Sequence, residues 1–258
     1  MSKTNYDNTP SFYNSQEVFE KYLGRTSYYS VLQKNVIKLC KLANAKKVLE
    51  LGSATGSTSF AISKELPKAN VVGVDMRNDI IKIANELKEK EKIVNVQFVC
   101  NNFCDLDNYC DFDFIVMLYS FHHIEDPQEK KIEFLKNVYD AVKESTYLCI
   151  AETFLPVSYN SEVDSIKALW KERVIEGEAS TFWESLNGLN IDNISFASEV
   201  GAFCGEYEGI AGDEVVERKT EFLVTDEFLC REAKNIGWNI LINKACNSIG
   251  ERIVLLKK

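Results

Sequence analysis

A chain of 258 residues with a formal net charge of -9 and ordinary aliphatic and aromatic content can bury a substantial core. That acidic balance excludes a protein that grips nucleic acid mainly through the phosphate backbone, which needs clustered Lys and Arg, and leaves open only an RNA held by a local basic patch. No apolar run approaches the roughly 20 residues that span a bilayer, and the polar start Met1-Ser2-Lys3-Thr4-Asn5-Tyr6 lacks a signal-peptide core, so a cytoplasmic protein without a membrane partner is expected.

Residues 1–15 carry no periodicity and read as a mobile arm. A helix is expected from Ser15, with Val18, Phe19 and Tyr22 on one side and Gly24 ending it, and a second over 29–43 with Tyr29, Leu32, Val36, Leu39 and Ala43 on one face. The apolar stretch Val48-Leu49-Glu50-Leu51 then runs as a strand into Gly52-Ser53-Ala54-Thr55-Gly56, and Ser57 and Thr58 open a helix. This is the form of a nucleotide-binding loop, in which a glycine takes positive φ and lets a ligand approach the backbone. The dinucleotide pattern is G-x-G-x-x-G, with the second glycine making room for a pyrophosphate. Here Ala54 stands at that position.

A second strand, Val71-Val72-Gly73-Val74, ends in Asp75, about 20 residues past the loop, where an acid holds ribose hydroxyls. Next come an amphipathic helix over 79–90 with Ile80, Ile83, Ala84 and Leu87 inward, and strands over 96–100 and 112–118. Pro127 introduces a helix carrying Ile132, Leu135, Val138 and Val142, and 147–151 is a wholly apolar fifth strand. A last helix over 225–236 stops at Gly237, and strands over 238–244 and 252–256 form a hairpin. Near-continuous apolar strands alternating with helices indicate a parallel sheet covered on both faces.

Eight cysteines, several within apolar patterns (Cys40, Cys149, Cys230), are expected to be free. Cys100, Cys104 and Cys110, with His122 and His123, lack the paired C-x-x-C spacing of a structural zinc site, so no metal is expected.

Taken in order, these motifs resemble the class I S-adenosylmethionine-dependent methyltransferases, over residues 46–155 and 223–258. The resemblance implies an α/β, Rossmann-like fold: a mostly parallel seven-stranded sheet with a terminal antiparallel hairpin, an N-terminal helical lid and a helical insertion after strand 5. One domain is expected over 1–258, with arm and lid at 1–45 and an acceptor-side insertion at 156–222 that contains a helix over 163–175. The cofactor implied is S-adenosyl-L-methionine. Gly52, Ser53, Ala54 and Gly56 would lie against its methionine end, Glu50 would help hold the ammonium, and Asp75 would take the ribose. Asn102 stands where the family commonly has an Asp at the adenine amino group; an amide oxygen can accept the same bond. Phe103, Met76 and Leu118 complete that set. Tyr22 and Arg25, a Tyr-x-x-Arg pair, look like the lid of the carboxy-S-adenosylmethionine synthase and small-molecule methyltransferase branches, where an Arg reaches a carboxylate.

Leu118-Tyr119-Ser120-Phe121-His122-His123 follows the fourth strand, and open α/β sheets bind ligands at the carboxyl ends of their strands. His122, His123 and Glu152, at the end of strand 5, are the candidate catalytic groups. The adjacent histidines are expected to diverge, one serving the acceptor while the other packs. From Glu152 to Glu227 there are 17 acidic and 5 basic residues, a charge that favours a cationic or amine-bearing acceptor. The function expected is methylation of a small amine- or hydroxyl-bearing molecule. A carboxy-S-adenosylmethionine-type enzyme and a non-catalytic binder of the same cofactor are the alternatives. The sequence carries no signal for the state of assembly.

Overall fold

The computed structural model describes residues 27–106, 109–124, 129–154, 188–190, 195–197, 202–211, 214–246 and 251–258. The expected N-terminal arm, the helix from Ser15, the Tyr22–Arg25 pair and the helix over 163–175 lie outside the described residues.

A seven-stranded sheet organises the chain, in the order β10-β11-β5-β4-β1-β2-β3. Strands β1 (Lys47–Leu51), β2 (Asn70–Asp75), β3 (Val96–Cys100), β4 (Phe114–Leu118) and β5 (Tyr147–Thr153) are parallel. β10 (Asn239–Ala245) and β11 (Glu251–Lys257) form the antiparallel hairpin, with β11 set against β5. β4 and β5 are buried at nearly every position, as expected of strands covered on both faces.

The two faces carry separate cores. On one, α1 (Ser27–Leu42) brings Leu32 and Val36, α2 (Ser57–Glu65) brings Phe60 and Ile62, and α3 (Asn78–Glu91) brings Ile81 and Ala84. On the other, α4 (Glu129–Ala141) brings Phe134, Leu135 and Val138, and α5 (Asp226–Ile236) brings Phe228, Leu229 and Ala233. Ile83 and Ile132 pack half-buried against their cores as expected of inward positions, and Ile81 and Lys131 on the same helices are buried as well. The start of α5 follows its cap, since the Thr225 hydroxyl accepts the Phe228 N–H at 3.1 Å.

The described part of the insertion is sheet, a unit the sequence did not foreshadow after the helix expected over 163–175. β6 (Gly188–Asn190), β7 (Ser195–Ala197), β8 (Ala202–Ala211) and β9 (Glu214–Val224) form a four-stranded antiparallel unit. β9 pairs along the whole of β8, so β6 and β7 share the other edge of β8. β9 also passes within 8 Å, Cα to Cα, of the 3-10 turn Phe121–His123. Among the described residues no helix is long and apolar enough to cross a membrane.

Candidate active site

The first crossover is built by backbone hydrogen bonds to β2: the Gly52 and Ser53 N–H groups both donate to Val74 O, at 2.8 and 2.9 Å. Gly52 has φ +77°, and a Cβ there would lie 2.5 Å from Ser120 Cβ. Gly56, at φ +91°, has the Phe98 ring 2.4 Å from where its Cβ would stand. Ala54 takes a left-handed conformation (φ 46°) without being glycine, fixed by donation of its N–H to Asp75 Oδ2 at 3.0 Å. The loop is thus drawn tightly onto the ends of β2 and β4, and Ser53 Oγ is buried in it with no hydrogen-bond partner among the described residues. A buried hydroxyl left so is costly unless a ligand engages it.

Glu50 is 2% exposed at the N-terminus of α2, where Ser59 Oγ donates to its carboxylate. Burial pushes its pKa up to about 8, against the Ser59 and Thr58 groups that lower it, and Asp75 adds repulsion. Uncharged, Glu50 fits the dry site; beside a cation it ionises. Because its folded pKa lies above an ordinary 4.5, ionising it costs stability, and that cost grows as pH rises from 4.5 through about 8. Glu50→Gln, neutral throughout, is therefore expected to gain in Tm over the native protein by at least about 4 °C between pH 5 and pH 8 in thermal melts. A constant difference would mean that Glu50 is charged in the folded protein.

Asp75 accepts from Ala54 N on one oxygen and from Arg77 N on the other, each at 3.0 Å, which leaves a lone pair on each oxygen for a hydroxyl. Burial raises its pKa, and those two N–H groups lower it. The neighbouring Met76 is 46% exposed, an apolar surface beside the acid. Asn102 caps the 3-10 turn Phe103–Asp105: its Oδ1 accepts the Cys104 N–H at 3.0 Å and its Nδ2 donates to Asp105 Oδ2 at 3.1 Å. The amide oxygen keeps one lone pair. Phe103 packs edge-on to Phe134, ring centroids 6.0 Å apart, and remains half-buried.

At the carboxyl ends of β4 and β5 the chain turns sharply. Leu118 is buried, Tyr119 takes φ 51°, and Ser120 Oγ donates to Leu51 O at 2.6 Å, joining this corner to the glycine loop. His122 Nδ1 lies 2.9 Å from Glu152 Oε2, which also receives the His122 backbone N–H at 3.3 Å. Both side chains are buried. The histidines do not diverge as expected: their rings are 4.0 Å apart at 56°, because both lie on one short 3-10 turn. A buried carboxylate on one imidazole nitrogen fixes the ring and its tautomer, and such a pair can take a proton at the other nitrogen.

Several residues here went unassigned in the sequence. Tyr29 was read only as part of an apolar face, yet its hydroxyl meets Thr58 Oγ1 at 2.7 Å and its ring stacks on Tyr119 at 6.0 Å. Gln33 donates to the Ser57 and Thr58 hydroxyls at 3.3 and 3.2 Å. α1 therefore closes over the start of α2. Tyr119 in turn donates to Glu251 at 3.3 Å. The sequence held no local signal for these contacts, since an aromatic on a helix's apolar face reads as core.

Comparison with known proteins bears on this arrangement. A family model described as methyltransferase domain matches residues 42–185, more than half of the chain. The release factor glutamine methyltransferase of Fusobacterium nucleatum is 36% identical over 87 residues, 33% of this chain and 25% of that protein, so the chain matches about a quarter of that relative's length. Among solved structures, the PH0226 protein of Pyrococcus horikoshii aligns over 100% of this chain and 99% of its own, at 18% identity and a TM-score of 0.63. The sugar N-methyltransferase KedS8 of Streptoalloteichus aligns over 100% and 97%, at 11% identity and a TM-score of 0.61. Domain match and sheet topology agree: the chain belongs to the methyltransferase domain family and has the Rossmann-like fold of its solved neighbours.

Proposed function

We propose that the chain methylates a small amine- or hydroxyl-bearing molecule, with His122 as the acceptor-side base and Glu152 holding it. The observation that carries this reading is the buried His122–Glu152 contact of 2.9 Å where β4 and β5 open. S-adenosylmethionine supplies the methyl group as a sulfonium. Gly52, Ser53, Ala54 and Gly56 would hold its methionine end, with Glu50 ionising beside the ammonium. Asp75 would accept the two ribose hydroxyls on the lone pairs that Ala54 and Arg77 leave. Met76, Phe103, Leu118 and the spare lone pair of Asn102 would bound the adenine.

Displacement at a sulfonium needs alignment and exclusion of water more than covalent help from the protein. The ends of β4 and β5, fixed to the glycine loop through Ser120, supply a rigid wall for that alignment. The imidazole would receive the acceptor's proton at Nε2, its Nδ1 being turned to Glu152, and His123 would line the same wall. The 17 acidic residues against 5 basic ones between Glu152 and Glu227 favour an amine over a phosphate-bearing acceptor.

The test is incubation of purified protein with methyl-labelled S-adenosylmethionine and a panel of amines and phenols, read by mass spectrometry. A singly methylated product is expected from at least one. Labelled carboxy-sulfonium product would instead identify the carboxy-S-adenosylmethionine chemistry, and cofactor binding without product a silent binder. On an acceptor that must lose a proton, Glu152→Gln is expected to lower kcat about 10²-fold while cofactor affinity stays within about twofold. An unchanged kcat would remove the pair from the mechanism.

A further inference from the structure

Lys131 has none of its surface exposed, which is rare for a lysine. It sits in the first turn of α4, where a cation opposes the helix dipole, so helix stability does not account for it. Its ammonium donates to the carbonyls of Phe121 at 2.6 Å and Ile124 at 2.9 Å and lies 4.6 Å from the centroid of the Phe121 ring. These carbonyls bracket the 3-10 turn Phe121–His123. Phe121 O also accepts the Ile124 N–H at 3.2 Å, so the ammonium is its second donor and the closer of the two. Hydrogen bonds from an ammonium are roughly twice as strong as neutral ones.

Phe134, three residues on along the same helix face, packs on Phe121 at 6.3 Å. The turn is thus held from two directions: α4 grips its carbonyls and Phe121, and β5 grips His122 through Glu152.

We propose that Lys131 is a positioning residue, whose buried ammonium sets the turn so that His122 presents Nδ1 to Glu152 and Nε2 to the acceptor side. The proposal rests on the reading of His122 as base, but its test requires no acceptor. His122 and His123 are the chain's two histidines, so side-chain nitrogen NMR of 15N-histidine-labelled protein gives two resolvable spin systems, assigned with His122→Gln.

The native protein is expected to show His122 as the Nδ1–H tautomer. Lys131→Met keeps an unbranched apolar stem and removes the donor; the Nδ1–H share of His122 should fall at least twofold, with S-adenosylmethionine affinity by calorimetry within twofold. Lys131→Gln, which retains a donor for one carbonyl, should fall between the two and serves alone if the Met variant does not fold. Unchanged His122 nitrogen shifts in either folded variant overturn the proposal, as does a change confined to His123. Failure of the methyltransfer reading would appear separately, as absence of product with the native protein.

Discussion

Gly52→Ala is expected to lower S-adenosylmethionine affinity at least about 100-fold and to cost about 2–4 kcal/mol of stability. Two independent penalties act at this position. The backbone stands at φ +77°, where a Cβ strains the chain, and that Cβ would come within 2.5 Å of Ser120 Cβ. Ser120 cannot yield cheaply, since its hydroxyl is tied to Leu51 O at 2.6 Å and its backbone leads into the histidine turn. The loop must therefore leave β2, breaking the bonds of Gly52 and Ser53 to Val74 O. Calorimetry and urea denaturation would read the two losses. A variant with native affinity would show that the loop does not hold the cofactor.

Asp75→Ala is expected to weaken cofactor binding at least tenfold, about 1.4 kcal/mol, because two hydroxyl acceptors disappear. The substitution also frees the Ala54 and Arg77 N–H groups, so part of the loss is a loosened loop. Asp75→Asn separates the contributions. Its amide oxygen can keep one backbone partner but offers a donor where the second oxygen accepts. Stability should fall by about 1–3 kcal/mol, from the one backbone N–H left facing a donor, while affinity still falls tenfold. Native affinity in both variants would refute the ribose role.

The sheet was readable because each parallel strand is a short, nearly continuous apolar run, and helix periodicity between runs leaves one topology. The last helix and its stop at Gly237 were readable for the same local reason. The insertion was not. β9 carries Glu217, Arg218 and Lys219 in succession, which breaks the alternation of apolar and polar positions that marks a strand. A signal was present in Gly212-Asp213, a hairpin-favouring dipeptide between the runs that form the ten-residue β8 and the eleven-residue β9.

Of the candidate site, the motif residues were legible because the motif is contiguous, and the fold brings Gly52, Ala54 and Asp75 together as their spacing requires. Tyr29 and Lys131 were missed because they act across helix packing. Periodicity assigns Tyr29 to an apolar face and passes over a lysine, and only the fold brings them to Thr58 and to the Phe121 carbonyl.

The central claim is that a sulfonium nucleoside, held by the Gly52 loop and Asp75, occupies the first crossover. Titration of the native protein with S-adenosylmethionine and, in parallel, with NAD tests it most directly. One equivalent of S-adenosylmethionine should bind saturably, with no heat from NAD. Binding of NAD with S-adenosylmethionine silent would contradict it.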